Sequence, residues 1–371
     1  MDWQALAEAA SPCHLLRLVV NGFRNLKEID LAPGPKINVI SGNNGQGKSN
    51  LLESLRYAST LRSFRASPRD ALIGWGSPWA QILCWTKSSG VSNSLEIRIE
   101  RKGQKSLRLN GKHPSSFFAW LNALPTVIFH PAEIELIQGG PERRREWLDT
   151  LLSAIEPQYA HALKAYGRAL QHRNDLLRQE PLNRQAIVAF DALLANHGAQ
   201  IAAARFKVIC ELERIAKSAW TELFDKEADL SISLHSRVEP SESSLLRALA
   251  ERLPQDQMRG FTSVGPHTDD LLLFLGSRSA KYVASQGQKR ALALALKLAE
   301  LWVFASRNQR LPLLLLDDIT SELDPERNQK LLHLLSRIGA QVFLTTTHPE
   351  LIRIEKERSD WWICDGRLKP L

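Results

Sequence analysis

Residues 36–49 read Lys-Ile-Asn-Val-Ile-Ser-Gly-Asn-Asn-Gly-Gln-Gly-Lys-Ser, and an apolar, helix-prone run follows through Leu55. The stretch predicts a strand, a glycine-rich loop and a helix. Ile37, Val39 and Ile40 suit a buried strand, and Leu51, Leu52 and Leu55 begin the helix. Between them Gly42, Asn43, Asn44, Gly45, Gln46, Gly47, Lys48 and Ser49 fit the pattern G-x-x-x-x-G-K-[ST]. Glycines there let main-chain N–H groups close around a phosphate, and the helix N-terminus adds a fixed positive pole. Lys48 is placed to reach the β- and γ-phosphates, and the Ser49 hydroxyl to ligate Mg²⁺. An ordinary glycine turn is the competing reading, and the flanking strand and helix weigh against it.

Working outward, 371 residues suffice for a sizeable core and two lobes. No continuous apolar run approaches the roughly 20 residues of a membrane span. The first fifteen residues carry Asp2 and Glu8, unlike a secretory signal, and are expected to form a loose extension. Cys13, Cys84, Cys210 and Cys364 are scattered without C-x-x-C spacing, which disfavours a zinc site or disulfide framework and suits a reducing cytoplasm. A net charge of +8 favours anionic partners, nucleic acid first.

Up to about residue 136 the chain is β-rich. Segments 15–20 and 29–31 read as strands around a turn, where Arg24 and Asn25 either approach the nucleotide or face solvent. Arg62, Arg65 and Arg69 form a basic cluster. Segments 82–86, 95–100 and 106–109 read as an antiparallel meander, and 126–129 as a further strand. The texture then turns helical, at 142–153, 158–177 and 184–224. In the last, Ile187, Phe190, Leu194, His197 and Ile201 open one apolar stripe at three- and four-residue spacing. His197 reads as a packed histidine. Arg143, Arg144 and Arg145 read as a solvated helix face or a grip on DNA phosphates. From 262 onward strands return, at 271–275, 312–316, 341–346 and 361–364, with a long apolar helix at 291–304. The expected organisation is therefore an N-terminal part of an ATPase head (1–136), a helical lobe (137–261) and a C-terminal part of the head (262–371).

The C-terminal part supplies the remaining chemistry. An apolar strand ending in Asp317-Asp318 reads as a Walker B element: Asp317 would hold Mg²⁺, and Asp318 would orient or deprotonate the attacking water. Ser285, Gln286, Gly287 and Gln288 open a helix, a second phosphate-friendly arrangement. One chain cannot easily bring both motifs onto one γ-phosphate, whereas two chains packed head to tail can. Ser321 to Asp324 and the strand-end His348, a candidate γ-phosphate sensor, follow.

This order of parts resembles the ATP-binding-cassette ATPase head, in the branch containing the structural-maintenance-of-chromosomes proteins, and within it the RecF family. The resemblance runs from about Leu15 to His348. It is carried by Phe23-Arg-Asn25, residues 42–50, Arg62-Ser-Phe-Arg65, Asn110-Gly-Lys112, residues 141–149, Arg168 to Asn174, Gly265-Pro-His-Thr-Asp-Asp270, Ser285-Gln-Gly-Gln288, Asp317-Asp318 and Ser321-Glu-Leu-Asp324. It implies an α/β fold: a P-loop NTPase head with a mixed sheet, an antiparallel β subdomain and an inserted helical lobe. It also implies a weak, DNA-stimulated ATPase that closes as an ATP-dependent homodimer on DNA, at single-strand/double-strand junctions, gaps or duplex. Cooperation with RecR and RecO to load RecA, in repair and replication-fork recovery, is implied with it. Asp318 departs from the Glu general in the cassette class, which suits slow hydrolysis. Thr268 stands where RecF-like chains carry Arg, and the segment before Leu15 has no match. Arg143 to Arg145, Arg65 and Lys289 are the candidate DNA contacts. A transporter's nucleotide-binding subunit, a nucleotide-gated scaffold and a small-molecule kinase are the rival readings; the RecF-specific blocks and the Ser285 motif disfavour the first, and that motif has no role in the third.

Overall fold

The structure, a computed structural model, describes residues 3–65, 68–103, 105–224, 229–318, 325–352 and 357–371. Its strands are β1 (Ser11–Pro12), β2 (His14–Phe23), β3 (Leu26–Leu31), β4 (Ile37–Ser41), β5 (Trp79–Ser88), β6 (Val91–Glu100), β7 (Ser106–Leu109), β8 (Thr126–Phe129), β9 (Leu230–His235), β10 (Asp270–Leu275), β11 (Arg278–Ser279), β12 (Arg310–Leu311), β13 (Leu313–Asp317), β14 (Val342–Thr346), β15 (Arg358–Cys364) and β16 (Arg367–Pro370). Its principal helices are α1 (Trp3–Ala9), α2 (Lys48–Thr60), α3 (Phe117–Ala123), α4 (Glu135–Gln138), α5 (Pro141–Ile155), α6 (Pro157–Leu177), α7 (Arg184–Phe224), α8 (Glu242–Arg259), α9 (Ala280–Val283) and α10 (Gln286–Asn308).

Eleven strands form one mixed sheet in the order β7-β6-β5-β2-β3-β16-β15-β4-β14-β13-β8. The β15-β4-β14-β13-β8 half is parallel. Every residue of β4, β13 and β14 is buried, as expected of strands covered on both faces. The β7-β6-β5-β2-β3 half is antiparallel, and β5 alternates buried with half-buried residues. This is the predicted mixed sheet with its antiparallel subdomain.

The chain divides into two compact units. One comprises Met1–Ile134, Ile215–Glu227 and Gln286–Leu371; the other comprises Glu135–Arg214 and Ala228–Ser285. The C-terminal boundary thus falls at Gln286 rather than at 262. The reason is the pairing of β10. It lies antiparallel to β9 across six residues, with β11 on its other edge, in a separate three-stranded sheet. An apolar strand carries no local mark of which sheet it joins. The lobe also contains α8, not anticipated in the sequence, capped by the Ser241 hydroxyl and ended by Gly260 in the left-handed region, with Pro254 inside it.

The N-terminal residues are no loose extension. Trp3 is fully buried, meets Trp302 edge-on with ring centroids 5.0 Å apart, and donates from Nε1 to Glu222 at 2.6 Å. β1 pairs with β12. The last strand is β16, beyond the expected 361–364. α7 is long and apolar enough by composition to cross a membrane. Its stripe residues Ile187, Leu194, Ile201, Val208 and Leu212 are instead buried in the protein, and Arg205 at its middle is held in ion pairs to Asp149 and Asp269.

Candidate functional site: a phosphate loop beside a carboxylate strand

β4 ends at Ser41 and hands the chain to the loop 42–47; Lys48 begins α2. The loop is shaped by close approaches. A Cβ on Gly42 would lie 2.4 Å from the carbonyl oxygen of Ile363. Gly47 sits at φ 115° as the residue before α2, and a Cβ there would lie 2.9 Å from Asn25 Oδ1. The other face is pinned from the β15–β16 turn: Asp365 N donates to Gln46 Oε1 at 2.6 Å, and Gly366 N to Gln46 O at 3.2 Å. Asn25 Nδ2 donates to Gly45 O at 2.9 Å. Asn43, Asn44 and Gly45 remain exposed at the tip.

Lys48 is buried, and its Nζ donates to Gly42 O at 2.6 Å and Asn43 O at 3.0 Å. The ammonium is thereby folded back over the loop carbonyls. Burial lowers its pKa, while the charges of Asp318 and Asp317 oppose that shift. Ser49 is half-buried, and among the described residues its hydroxyl has no side-chain hydrogen bond.

The β4–β14–β13 order places the carboxylates two strands from the loop. Asp317 is in register with Thr345, and Ser41 with Thr346. At about 4.8 Å per strand, the Asp317 backbone lies about 10 Å across the sheet from β4. Thr345 Oγ1 donates to Asp317 Oδ1 at 2.6 Å and accepts from Asp318 N at 3.0 Å, so one hydroxyl orients both residues. Asp317 is buried, and Asp318, at φ 50°, turns the chain at the strand end.

Two residues absent from the sequence-based site belong to it. His130, just after β8, places Nε2 3.3 Å from Asp317 Oδ2. Its Nδ1 accepts from Ala132 N at 2.9 Å, which leaves the proton on Nε2, facing the carboxylate. Burial lowers the imidazole pKa, with Asp317 pulling the other way, so the ring is neutral. The Phe64 ring packs against it, tilted by 40°, with centroids 4.3 Å apart. Glu53, fully buried on α2, is the second: it pairs with Arg24 at 2.7 Å and Arg65 at 3.5 Å, and accepts from Ser63 Oγ at 2.6 Å. Arg65 then donates to Asn50 Oδ1 at 2.6 Å, and Asn50 to Asn25 Oδ1 at 2.7 Å. A chain of polar contacts thus joins the 61–65 turn to the phosphate loop. Arg24 and Arg65 bracket a buried acid here, Arg65 keeping part of its side chain in solvent. No spacing rule flags an isolated Glu inside an apolar helix face or a His after a four-residue strand.

Ser285, Gln286, Gly287 and Gln288 lie at the start of α10 and are all exposed. A Cβ on Gly287 would meet nothing within 4 Å, so packing within the chain does not require glycine there. His348 is exposed and pairs with Glu350 at 3.0 Å. Ser321 to Asp324 lie outside the described residues. The arginine run at the start of α5 is neither a solvated face nor an open phosphate grip. Arg144 is buried and doubly bonded to Asp270 at 2.7 and 3.0 Å, and Arg145 donates to Asp269 O at 2.6 Å. Arg143, paired at 3.7 Å with Glu146, is half-buried, as is Arg145.

Residues 14–359 match the profile of the RecF/RecN/SMC N terminal domain. A "DNA replication and repair protein RecF" from Myxococcus xanthus is 37% identical over 360 residues, covering 94% of both chains. One from an Anaeromyxobacter species is 38% identical over 347 residues, covering 91% of this chain and 93% of the relative. Among solved structures, the recombination mediator protein RecF with ATP in the RecFOR pathway superposes with a TM-score of 0.89 at 32% identity, over 98% of this chain and 99% of that one. An Smc head domain from Pyrococcus furiosus reaches a TM-score of 0.56 at 16% identity, covering 97% and 96%, which supports the fold alone.

Proposed function

The chain belongs to the RecF family of SMC-like ATPases, and from that premise we propose that it is a recombination mediator of DNA replication and repair. It binds and hydrolyses ATP and acts on DNA as an ATP-gated clamp. The observation that carries the reading is the arrangement of Lys48. Its ammonium rests on two loop carbonyls, beside a strand that delivers Asp317 and Asp318. A triphosphate entering the loop offers Lys48 stronger, charge-assisted acceptors than those carbonyls.

In this reading the N–H groups of 43–49 hold the phosphates and Lys48 neutralises the β- and γ-oxygens. Asp318 orients the attacking water and accepts its proton. The open Ser49 hydroxyl and the Asp317 carboxylate, all oxygen donors, suit Mg²⁺, which would offset phosphate charge there. His130 and Thr345 hold Asp317 in place for that task. Asp318, a carbon shorter than Glu, holds the water less closely, which makes turnover slow; DNA stimulates it.

Exposed Ser285 to Gln288 with an unhindered Gly287 supports completion of each site by a second copy of the chain. ATP then joins two heads, and loss of the γ-phosphate parts them. Single-strand/double-strand junctions, gaps and duplex are the DNA substrates, RecR is the direct partner, and RecO and RecA act downstream. The test is complementation between two inactive variants. Lys48→Met and Ser285→Arg each abolish ATPase activity and ATP-dependent dimerisation in light scattering. Mixing them restores activity, because a mixed dimer holds one intact pair of Lys48 and Ser285. Full activity of either variant alone, or no recovery on mixing, overturns the shared site.

A further inference from the structure

Trp75 is the most exposed large hydrophobic side chain described, at 103% relative accessibility. It is not on a loose segment. Gly74 to Ser77 form a turn in which Ser77 N donates to Gly74 O at 3.0 Å, with Gly76 at φ 78°, the glycine a type II turn requires at its third position. The turn is anchored at both ends. Gly74 N donates to Gly22 O at 2.8 Å, and Ser77 Oγ donates to Trp79 O at 2.6 Å. Arg101 clasps it from the β6–β7 connection, donating from Nη2 to Gly74 O at 3.2 Å and from Nε to Ser77 O at 3.3 Å. An indole is thus presented to water on a backbone that is already ordered.

The clasp also sets the charge around it. Arg101, Lys102 and Lys105 are all exposed on the connection that closes on the turn. The nearest acid on that strand, Glu100, is held by Arg98 at 3.1 Å. An exposed aromatic face on a turn held by Arg101, with Lys102 next along the chain and the Lys105 ammonium 5.9 Å over the Tyr57 ring, complements one kind of partner: a chain of phosphates with unpaired, planar bases. A base inside a duplex has both faces covered by its neighbours, and an acidic peptide has nothing planar to offer the ring.

We propose that the Trp75 turn with Arg101, Lys102 and Lys105 forms a binding surface for single-stranded nucleic acid, with one base stacked on the indole and adjacent phosphates at Lys102 and Lys105. The inference rests on the DNA-binding reading above and adds to it which surface receives an unpaired strand. Stacking of one base tightens binding about five- to a hundredfold. Preordering of the turn means that little conformational freedom is lost when the base arrives.

The experiment is fluorescence anisotropy with labelled oligothymidylate, a blunt duplex and an acidic peptide, with ATP present. Trp75→Ala weakens oligothymidylate binding at least fivefold and leaves duplex affinity and DNA-free ATPase activity unchanged. Trp75→Phe, which keeps a ring, recovers most of the loss. Lys102→Ala with Lys105→Ala lowers the salt dependence of oligothymidylate binding by about 1.4 in log–log slope, since each phosphate contributes about 0.7. Equal oligothymidylate binding by Trp75→Ala and the parent protein overturns the surface while leaving the DNA-binding reading intact. An equal loss on duplex, or a loss on the acidic peptide instead, also overturns it. A parent protein that binds no DNA of either form overturns both readings.

Discussion

Two kinds of buried charge, one in the helical lobe and one at the phosphate loop, serve opposite ends. In the helical lobe, buried arginines are matched internally. Arg173, fully buried, meets Asp191 at 2.6 Å and Asp256 at 2.9 Å and also bonds Thr262. Arg205 meets Asp149 and Asp269, and Arg144 meets Asp270. At the phosphate loop, among the described residues, Lys48 has only neutral carbonyls as hydrogen-bond partners and Ser49 has no side-chain partner. Closed ion pairs hold a structure together; a buried cation resting on neutral acceptors retains attraction for an anion that has yet to arrive. The same residue type, Arg or Lys on a helix, therefore says little until its neighbours are known.

Substitutions can break this contrast, the largest effect coming first. Arg173→Leu leaves Asp191 and Asp256 without their cation and is expected to cost about 3–5 kcal/mol in urea unfolding. Burial raises the Asp191 pKa while Arg173 opposes the rise, so the variant also drives that acid toward its neutral form. Lys48→Met is expected to do the reverse. Unfolding shifts by less than about 1 kcal/mol, because no carboxylate loses a hydrogen-bond partner, while ATP binding weakens by about 2–3 kcal/mol in calorimetry. Equal stability losses for the two variants would erase the distinction.

A smaller effect comes from pH. His267 is half-buried in the lobe, where Nε2 donates to Thr262 O at 3.0 Å and Nδ1 accepts from Tyr166 at 2.6 Å, as the neutral tautomer does. Burial lowers its pKa below the ordinary 6.5. The unfolded chain then takes up the proton first as pH falls. The stability contribution is complete above about pH 6.5 and declines below it, by up to about 1.4 kcal/mol per pH unit. His267→Gln should flatten the slope below about pH 6.5 by up to one proton; an unchanged slope would assign the loss to other histidines. The smallest effect concerns the thiols. Burial raises Cys13 to about 12 and raises Cys84 further, while Cys210 and Cys364 are exposed. Two of the four thiols should react with a disulfide reagent in the native protein and four in denaturant.

What was legible in the chain was local. The strand–loop–helix around Lys48 rests on contiguous residues, and α7 spans residues 184–224 as its stripe predicts, because helical period is written into neighbouring positions. The apolar run before Asp317 announced a doubly covered strand. What stayed hidden depends on partners far along the chain. β10 reads as a strand from its own residues, but its partner β9 lies about forty residues earlier, beyond any periodic pattern. Trp3 looks dispensable until Trp302 and Glu222 are beside it. Arg144 looks solvated until Asp270 faces it, and His130 is unremarked until β8 and β13 pair and bring it to Asp317.

The position of β4 has a consequence for synthesis. Its neighbours in the sheet begin at Val342 and Arg358, some three hundred residues later in the chain. A ribosome has produced the phosphate loop early but cannot supply the strands that support it until residues 342–364 have been made. Nascent chains that stop short of those strands therefore carry the motif without its scaffold, and tight nucleotide retention becomes a signature of chains that extend past residue 364.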